Sequence, residues 1–324
     1  MLLLACLAVL AVGLSGYRAV SLWAQEAVNE RLGVLADGRA KALERRWDRL
    51  LAELAVQAHS AHQVSSLDEI RGWMELSEHR ALILDYFQQG GALDADERML
   101  RAGRGQSHGY LKRHLEFHDI YLAALRQFDY ADIFLVAPNG RVVYSVTKGA
   151  EFGRQVTEND LAGTGLGRAV SEAAEARDRP VSVDFAPYDI AGGAPRAFVA
   201  QRFHNPASGQ PVGTVVVAIG ASFVDAALAT VAGSYLDIQT YVVGSDGFLR
   251  SDQATRLSGR GPRESLDRSR LTGTGLLHLT SRDGEPLVAV GREVRIGDNT
   301  WLLWLAKPHS KAFAVMRKLD RAIL

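Results

Sequence analysis

Residues 132–146 read DIFLVAPNGRVVYSV. Two runs rich in β-branched and aromatic residues flank an Asn-Gly pair, the dipeptide that most readily supplies the positive φ angles of a tight hairpin turn. The reading is strand, turn, strand, and it decides the fold because it recurs. Residues 239–252 read QTYVVGSDGFLRSD, with Asp246-Gly247 between two similar runs.

The segments after the two hairpins also correspond. After the first come the connector TENDLAGTGLGRAVSEAAEA and three strand candidates, PVSVDFA, RAFVAQRF and PVGTVVVAIG, with a turn at 205–209 between the last two. After the second come a connector rich in Arg, Gly and Ser and the strand candidates GLLHLTS, PLVAVGREV and TWLLWLAK, with Asp283-Gly284 and Gly297-Asp298 at the turns. Two units of hairpin, connector and three-strand meander are an internal duplication. Five antiparallel strands with a helical connection after the second make a sheet that buries one face under helices and can cup a small molecule on the other. The expected fold class is α+β.

The chain ahead of the first hairpin reads as helix. Ala36, Ala40, Leu43, Trp47, Leu50 and Leu54 recur at alternating spacings of four and three with charges between them, the pattern of a helical seam. It fits a dimer interface and a helix packed on its own domain equally well, and either gives a stalk. Ser66 with Glu69 three residues later has the form of a capping box, a further helix starts at Asp94 or Asp96, and Gly90-Gly91 separates the two. Residues 1–17 carry no charge, and AVSLWA follows Arg18. A spanning helix needs about 20 largely apolar residues, so the run reads as an uncleaved anchor over 1–24, in preference to a signal peptide or a buried soluble helix.

Composition narrows the function. Lys+Arg and Asp+Glu are both 37 in 324 residues, so no bulk field recruits nucleic acid. The single cysteine, Cys6, excludes an intrachain disulfide and a cysteine-based metal site. No Walker A loop, Gly-x-Ser-x-Gly or His-Glu-x-x-His occurs, and the glycines of GTGLGRAV have the wrong spacing for a dinucleotide loop. The expectation is therefore no enzyme and no cofactor. His114 and His118 stand one helical turn apart; without a third placed ligand they read as a solvated or satisfied helix face, and no metal is expected.

The order of long helix, hairpin, connector and meander, repeated once after an apolar start, resembles the double Cache sensor region of bacterial transmembrane receptors, most nearly that of methyl-accepting chemotaxis proteins. DIFLVAPNGRVVYSV, VDFAPYDIAGGAPRAFVAQRF and GQPVGTVVVAIGASFV are similar to the membrane-distal module, and TYVVGSDGFLRSD to the membrane-proximal one. The resemblance implies two PAS-like modules and this division: anchor 1–24; stalk helix and helical region 25–130; distal module with the ligand cup 131–222; proximal module 223–307; and a C-terminal helix 308–324 leading toward a second span. It implies an extracytoplasmic ligand-sensing domain of a chemotaxis receptor, with residues 25–310 in the periplasm or outside the cell, the inner membrane as anchor and a homodimer through the long helix. The input region of a histidine kinase or nucleotide cyclase is the alternative, or a tethered module that binds a partner protein and no small molecule.

The distal meander supplies the site. A receptor pocket combines apolar and aromatic walls with a few placed polar groups, which fits Phe134, Tyr144, Asp184, Tyr188 and Arg202. Alternation puts Phe198, Ala200 and Arg202 on one face of their strand, where Arg202 meets either an anionic ligand group or Asp184 at the rim. The resemblance implies a ligand role for Tyr188, since amino-acid-sensing relatives place a Tyr after this Pro. Their Arg-x-Trp pair is missing from the distal module, and Gly220 falls where they carry a late-strand Asp. A small carboxylate, a purine-like molecule and no direct ligand stay open.

Overall fold

The computed structural model describes residues 2–58, 61–157, 159–176, 178–205, 207–229, 238–251, 276–280 and 284–314; for residues 2–11, 14, 61–63, 159, 191 and 280 it describes the backbone alone. The chain divides into two compact units, a first of Arg45–Ala226 with Gly297–Asn299 and a second of Met1–Glu44, Ala227–Ile296 and Thr300–Leu324.

The first unit is built on an antiparallel sheet of β1 (Tyr130–Val136), β2 (Val142–Ser145), β3 (Val181–Ala186), β4 (Arg196–His204) and β5 (Pro211–Ile219), in the order β2-β1-β5-β4-β3. Its register aligns two rows across the strands. Phe134, Val216, Ala200 and Val181 form one, and Asp132, Ala218, Phe198 and Val183 the other. Because side chains alternate along a strand, both rows lie on one face. The connector after β2 forms a helix, Gly165–Glu175, whose Leu166, Ala169 and Ala173 are buried among these residues. Thr164 caps it by accepting the Gly167 N–H. A Cβ at Gly165 would stand 2.6 Å from the Phe198 ring, so only glycine lets the helix start that close to the sheet.

Helices cover the opposite face. The long helix Leu2–Ala58 is followed by Ala61–Glu75, Ser77–Gln88, Ala95–Leu100 and Gly109–Phe128. These five and those of Asn159–Ala162 and Gly165–Glu175 are α1 to α7 in chain order. α4 opens at Asp94, one of the two starts expected, through a capping box with Glu97. Ser66 instead lies inside α2, 4% exposed, because the helix begins at Ala61; the Ser66 start is corrected to a buried interior position. At Gly213 in β5 a Cβ would meet the Val136 carbonyl at 2.5 Å and Leu67 of α2 at 2.7 Å. The missing side chain lets α2 lie against the sheet.

The seam of α1 is buried within the chain. Ala36 and Leu43 are 0% exposed, Trp47 1% and Leu50 and Leu54 2%, which favours packing on its own domain over a dimer interface. Val34 and Val56 are the exposed apolar positions in this stretch. Among the described residues no helix is long and apolar enough to cross a membrane. Residues 1–11 and 14, most of the run behind the anchor expectation, lie outside those whose side chains are described.

The second unit carries β6 (Gln239–Val243), β7 (Leu277–Thr280), β8 (Pro286–Ile296) and β9 (Asn299–Pro308), ordered β6-β9-β8-β7. Among the described residues it has four strands where the repeat suggested five. The expected second strand of its hairpin makes only an isolated bridge, Val243 to Leu249. Arg250, buried to 3%, holds this hairpin through its side chain: it donates to the Asp246 carboxylate at 2.8 Å and lies over the Trp301 ring. Its guanidinium fills the space a side chain at Gly244 would need, a Cβ there falling 2.0 Å from a guanidinium nitrogen. The connector at 252–275 and the end of the expected C-terminal helix, 315–324, lie outside the described residues.

Two glycines of the first unit should respond oppositely to alanine. Gly213→Ala forces α2 off β5 and should cost about 1–3 kcal/mol as overpacking does. Gly72→Ala, in α2 with nothing within 4 Å of its Cβ position, should be neutral or stabilise by up to about 1 kcal/mol. Urea denaturation of both variants checks the pair; equal effects would mean that α2 does not rest on β5 through Gly213.

Candidate functional site

The face under α7 gathers some of the residues singled out from sequence and excludes others. Phe134 and Tyr188 belong to its buried cluster with Phe198, Val181, Val183 and Val216. The Tyr188 ring meets Phe198 edge-on at 5.2 Å, and its hydroxyl donates to Glu151 Oε1 at 2.8 Å. Burial first, and the neighbouring Glu151 next, push the phenol well above its ordinary pKa. It is a neutral hydrogen-bond donor. Arg202 shares the alternation of Phe198 and Ala200 and donates to the Ala174 carbonyl at 2.9 Å. That carbonyl is in the last turn of α7, where a cation complements the helix dipole. Arg202 therefore fastens α7 at the rim.

Tyr144 lies on the other side of the sheet. The β1–β2 register slips between Leu135 and Val136, so that Val142 opposes Val136 while Tyr144 opposes Leu135. The extra residue, Val143, turns successive inward positions to opposite faces; its carbonyl accepts from the Tyr110 hydroxyl at 2.7 Å. Tyr144 then packs among Phe117, Tyr121 and His114 of α5 and exchanges a 2.8 Å hydrogen bond with His118 Nδ1. Asp184 falls at the irregularity between Val183 and Ala186, half-buried, with Oδ1 accepting the Phe185 N–H. The structure thus brings Phe134, Tyr188 and Arg202 to one face and leaves Tyr144 and Asp184 elsewhere.

Sequence reading passed over the polar end of the same face. Asp132, 5% exposed, stands two residues before Phe134 in β1 and collects five donors. Its Oδ1 accepts the N–H groups of Ile133, Val146 and Thr147, and its Oδ2 the hydroxyls of Ser145 and Thr147. Desolvation raises the carboxyl to about 6, with Glu151 adding to the rise and the hydroxyl donors opposing it. Glu151, 6% exposed, stands beyond β2 and meets Tyr188. Two carboxylates, a phenol and two hydroxyls therefore line one end of an apolar face. That arrangement can take a positively charged or hydrogen-bond-donating group at the polar end and an apolar body beside it. The signal was present in the opening motif: an Asp at an inward position of an otherwise apolar strand must have buried partners.

His114 and His118 are both buried in the helical layer. His118 Nε2 donates to the Met99 carbonyl and His114 Nδ1 to the Ala102 carbonyl, so the pair is a buried helix face rather than a solvated one, satisfied at His118 and half-satisfied at His114. Among the described residues no three His, Cys, Asp or Glu side chains are grouped to hold a metal ion.

No protein-family model matches the chain, and no curated protein sequence matches it. Among solved structures it is similar to the ligand-binding domain of the Campylobacter jejuni chemoreceptor Tlp3, solved with 4-methylisoleucine, at 10% identity and a TM-score of 0.54, over 90% of this chain and 94% of that one. The ligand-binding domain of the Pseudomonas aeruginosa amino acid chemoreceptor PctB, solved with L-Arg, is similar at 15% identity and TM-score 0.43 over 77% and 93% of the two chains. That of Pseudomonas fluorescens CtaA, solved with L-serine, is similar at 13% identity and TM-score 0.38 over 75% and 92%. The chain has the fold of a chemoreceptor ligand-binding domain, as its resemblance to the double Cache region implied.

The Tyr188 hydroxyl and the Arg202 guanidinium should weigh differently. Tyr188→Phe leaves a buried carboxylate short of a donor and should cost about 1–3 kcal/mol. Arg202→Ala removes a solvent-exposed bond and should change stability by less than about 0.5 kcal/mol. Thermal melts of the two variants read the difference; a silent Tyr188→Phe would mean that Glu151 does not depend on this phenol.

Proposed function

We propose that the protein is the extracytoplasmic ligand-sensing domain of a transmembrane signal transducer of the chemotaxis-receptor type. The observation that carries the reading is the face under α7: in a fold shared with the Tlp3 domain, Asp132, Glu151 and Tyr188 stand at one end of an apolar cluster that contains Phe134 and Phe198. A small molecule with an amine or other donor group at the carboxylate end and a modest apolar body is the ligand this face fits. Tlp3 was solved with 4-methylisoleucine, L-valine and L-norvaline, which are of that type. Binding would displace α7, because its side chains fill the face, and α7 hangs on short ties, the Thr164 cap and the Arg202 bond. The protein transmits a state and transforms no substrate.

The membrane-distal position of the first unit, the anchor at 1–24, the periplasmic location and a homodimer belong to the same proposal. With the α1 seam buried in the chain, the dimer contact moves to the exposed face that carries Val34 and Val56.

A thermal-shift screen of the purified protein against small amines, amino acids and carboxylates tests the reading. A ligand that binds only the folded state raises the midpoint; at a hundred times its Kd it should add about 2.7 kcal/mol. The gain should vanish in Glu151→Gln. A carboxylate-only or purine ligand whose effect survives Glu151→Gln would overturn the assignment of the polar end. A panel without any hit, with a partner protein co-purifying, would favour the partner-binding alternative.

A further inference from the structure

Lys148, in the loop after β2, is 1% exposed. Among the described residues its ammonium nitrogen has one oxygen within reach, the Arg101 carbonyl at 3.5 Å. It stands 3.3 Å from both ring nitrogens of His118, of which only Nδ1 carries a lone pair, and the Tyr144 hydroxyl competes for it at 2.8 Å. Nε2 must carry the proton it gives to the Met99 carbonyl, which leaves Nδ1 to accept from the Tyr144 hydroxyl. Phe87, 5.0 Å away, and Tyr144, 5.8 Å away, present their ring faces. The amine is boxed in by rings, with three donors and almost no acceptor.

Beside it is the converse. His114 stacks on His118 at 4.4 Å and donates Nδ1–H to the Ala102 carbonyl, so its Nε2 is an acceptor; that atom is buried and, among the described residues, without a partner. An acceptor lacking a donor and a donor lacking acceptors share one box, unjoined. The backbone at Lys148 is also held in the left-handed region, φ 48°, which costs a non-glycine residue free energy and persists only where its surroundings enforce it. Here the Lys148 N–H donates to Ser145 Oγ at 2.8 Å, and Gln88 donates to the carbonyls of Lys148 and Gly149.

We propose that Lys148 and its ring box form a proton-binding latch, closed when the amine is neutral and opened by protonation, that fastens the loop after β2 to α3 and α5. The class of ligand is the proton, and the latch needs no small molecule under α7. Protonation makes an ammonium that the closed box cannot satisfy; a rearrangement that brings it to His114 Nε2, or to water, can.

The surrounding charges fix the direction of the response. Asp132 from β1 favours the ammonium, but desolvation outweighs it and holds Lys148 down at about 7. From α5, His114 and His118 are pushed down by burial and by Lys148, His118 to about 4; both are neutral around pH 7. Asp119 and Arg104 act on His118 with opposite signs. Tyr110, Tyr121 and Tyr144 are raised by burial and stay neutral. From α3 the box receives only Phe87 and the Gln88 amide, and the Arg101 guanidinium lies over Tyr86. A lysine with a lowered folded-state pKa opposes folding fully below that pKa and ceases to do so above its unfolded value, 10.5. The latch is therefore weakest below about 7 and tightens as the solution becomes alkaline.

The test uses the full chain with 15N-labelled lysine and amide hydrogen exchange at pH 6 and pH 8.5. One lysine should titrate with a midpoint between about 6 and 8, and its signal should be missing in Lys148→Met. Corrected for intrinsic chemistry, amides of α5 and of the loop 146–152 should exchange at least about fivefold faster at pH 6, and Lys148→Met should abolish the difference. Every lysine titrating near 10, or an unchanged difference in Lys148→Met, overturns the proposal. If Lys148→Met does not fold, the wild-type titration alone decides.

Discussion

The Asp132 carboxylate holds the first unit together. It binds the N–H groups of Ile133, Val146 and Thr147 and the hydroxyls of Ser145 and Thr147, which closes the end of β2 onto β1 where regular pairing stops. With Val146 and Thr147 tied to it, the chain leaves the sheet in one direction only. Lys148 then falls into the ring box, and Glu151 comes within reach of Tyr188. Burying a carboxylate is costly unless its lone pairs are filled, and here five donors fill them. One charged group thus sets both the polar end of the α7 face and the latch on the other side.

The architecture was largely legible because it rests on local signals. The Asn-Gly turn, the alternation in β4 and β5 and the Asp94 cap each specify structure within a few residues, and repetition of the hairpin gave the two-module order. Two readings went astray where structure beyond the local pattern decided the outcome. Ser66 has the form of a cap, but the helix had already begun at Ala61, and sequence cannot weigh a helix start against an earlier one. Tyr144 reads as a pocket wall by its aromatic residue type, whereas the bulge at Val143 sends it to α5. The second hairpin's return run is held by an isolated bridge, Val243 to Leu249, and by backbone bonds from Gly244 to Phe248 and from Arg250 to Val242, before it leaves the described residues after Ser251.

The site was legible in part for the same reason. Phe134 and Arg202 share a face because strand alternation carries them there, and Tyr188 joins them from the loop after β3. Asp132 and Glu151 were missed although both sit near the opening motif, because charged residues in a strand or loop read by default as solvated. The informative feature was the company of Asp132: inward-facing Phe134 and Val136 come after it at intervals of two, so the same geometry that buries them buries the carboxylate.

The two faces of the first sheet are electrically joined through this carboxylate. Asp132 favours the charged form of Lys148, and its own proton affinity is raised by burial and by Glu151. Above about pH 6, where Asp132 is already ionised, a cationic group arriving beside Glu151 would act on Lys148 by repulsion and lower its proton affinity, which would tighten the latch. Linkage requires the converse by the same factor: a proton on Lys148 weakens the binding of a cation at the polar end. A ligand bound under α7 as proposed and a proton among the helices would then act on one hairpin end in opposite senses, with no contact between them.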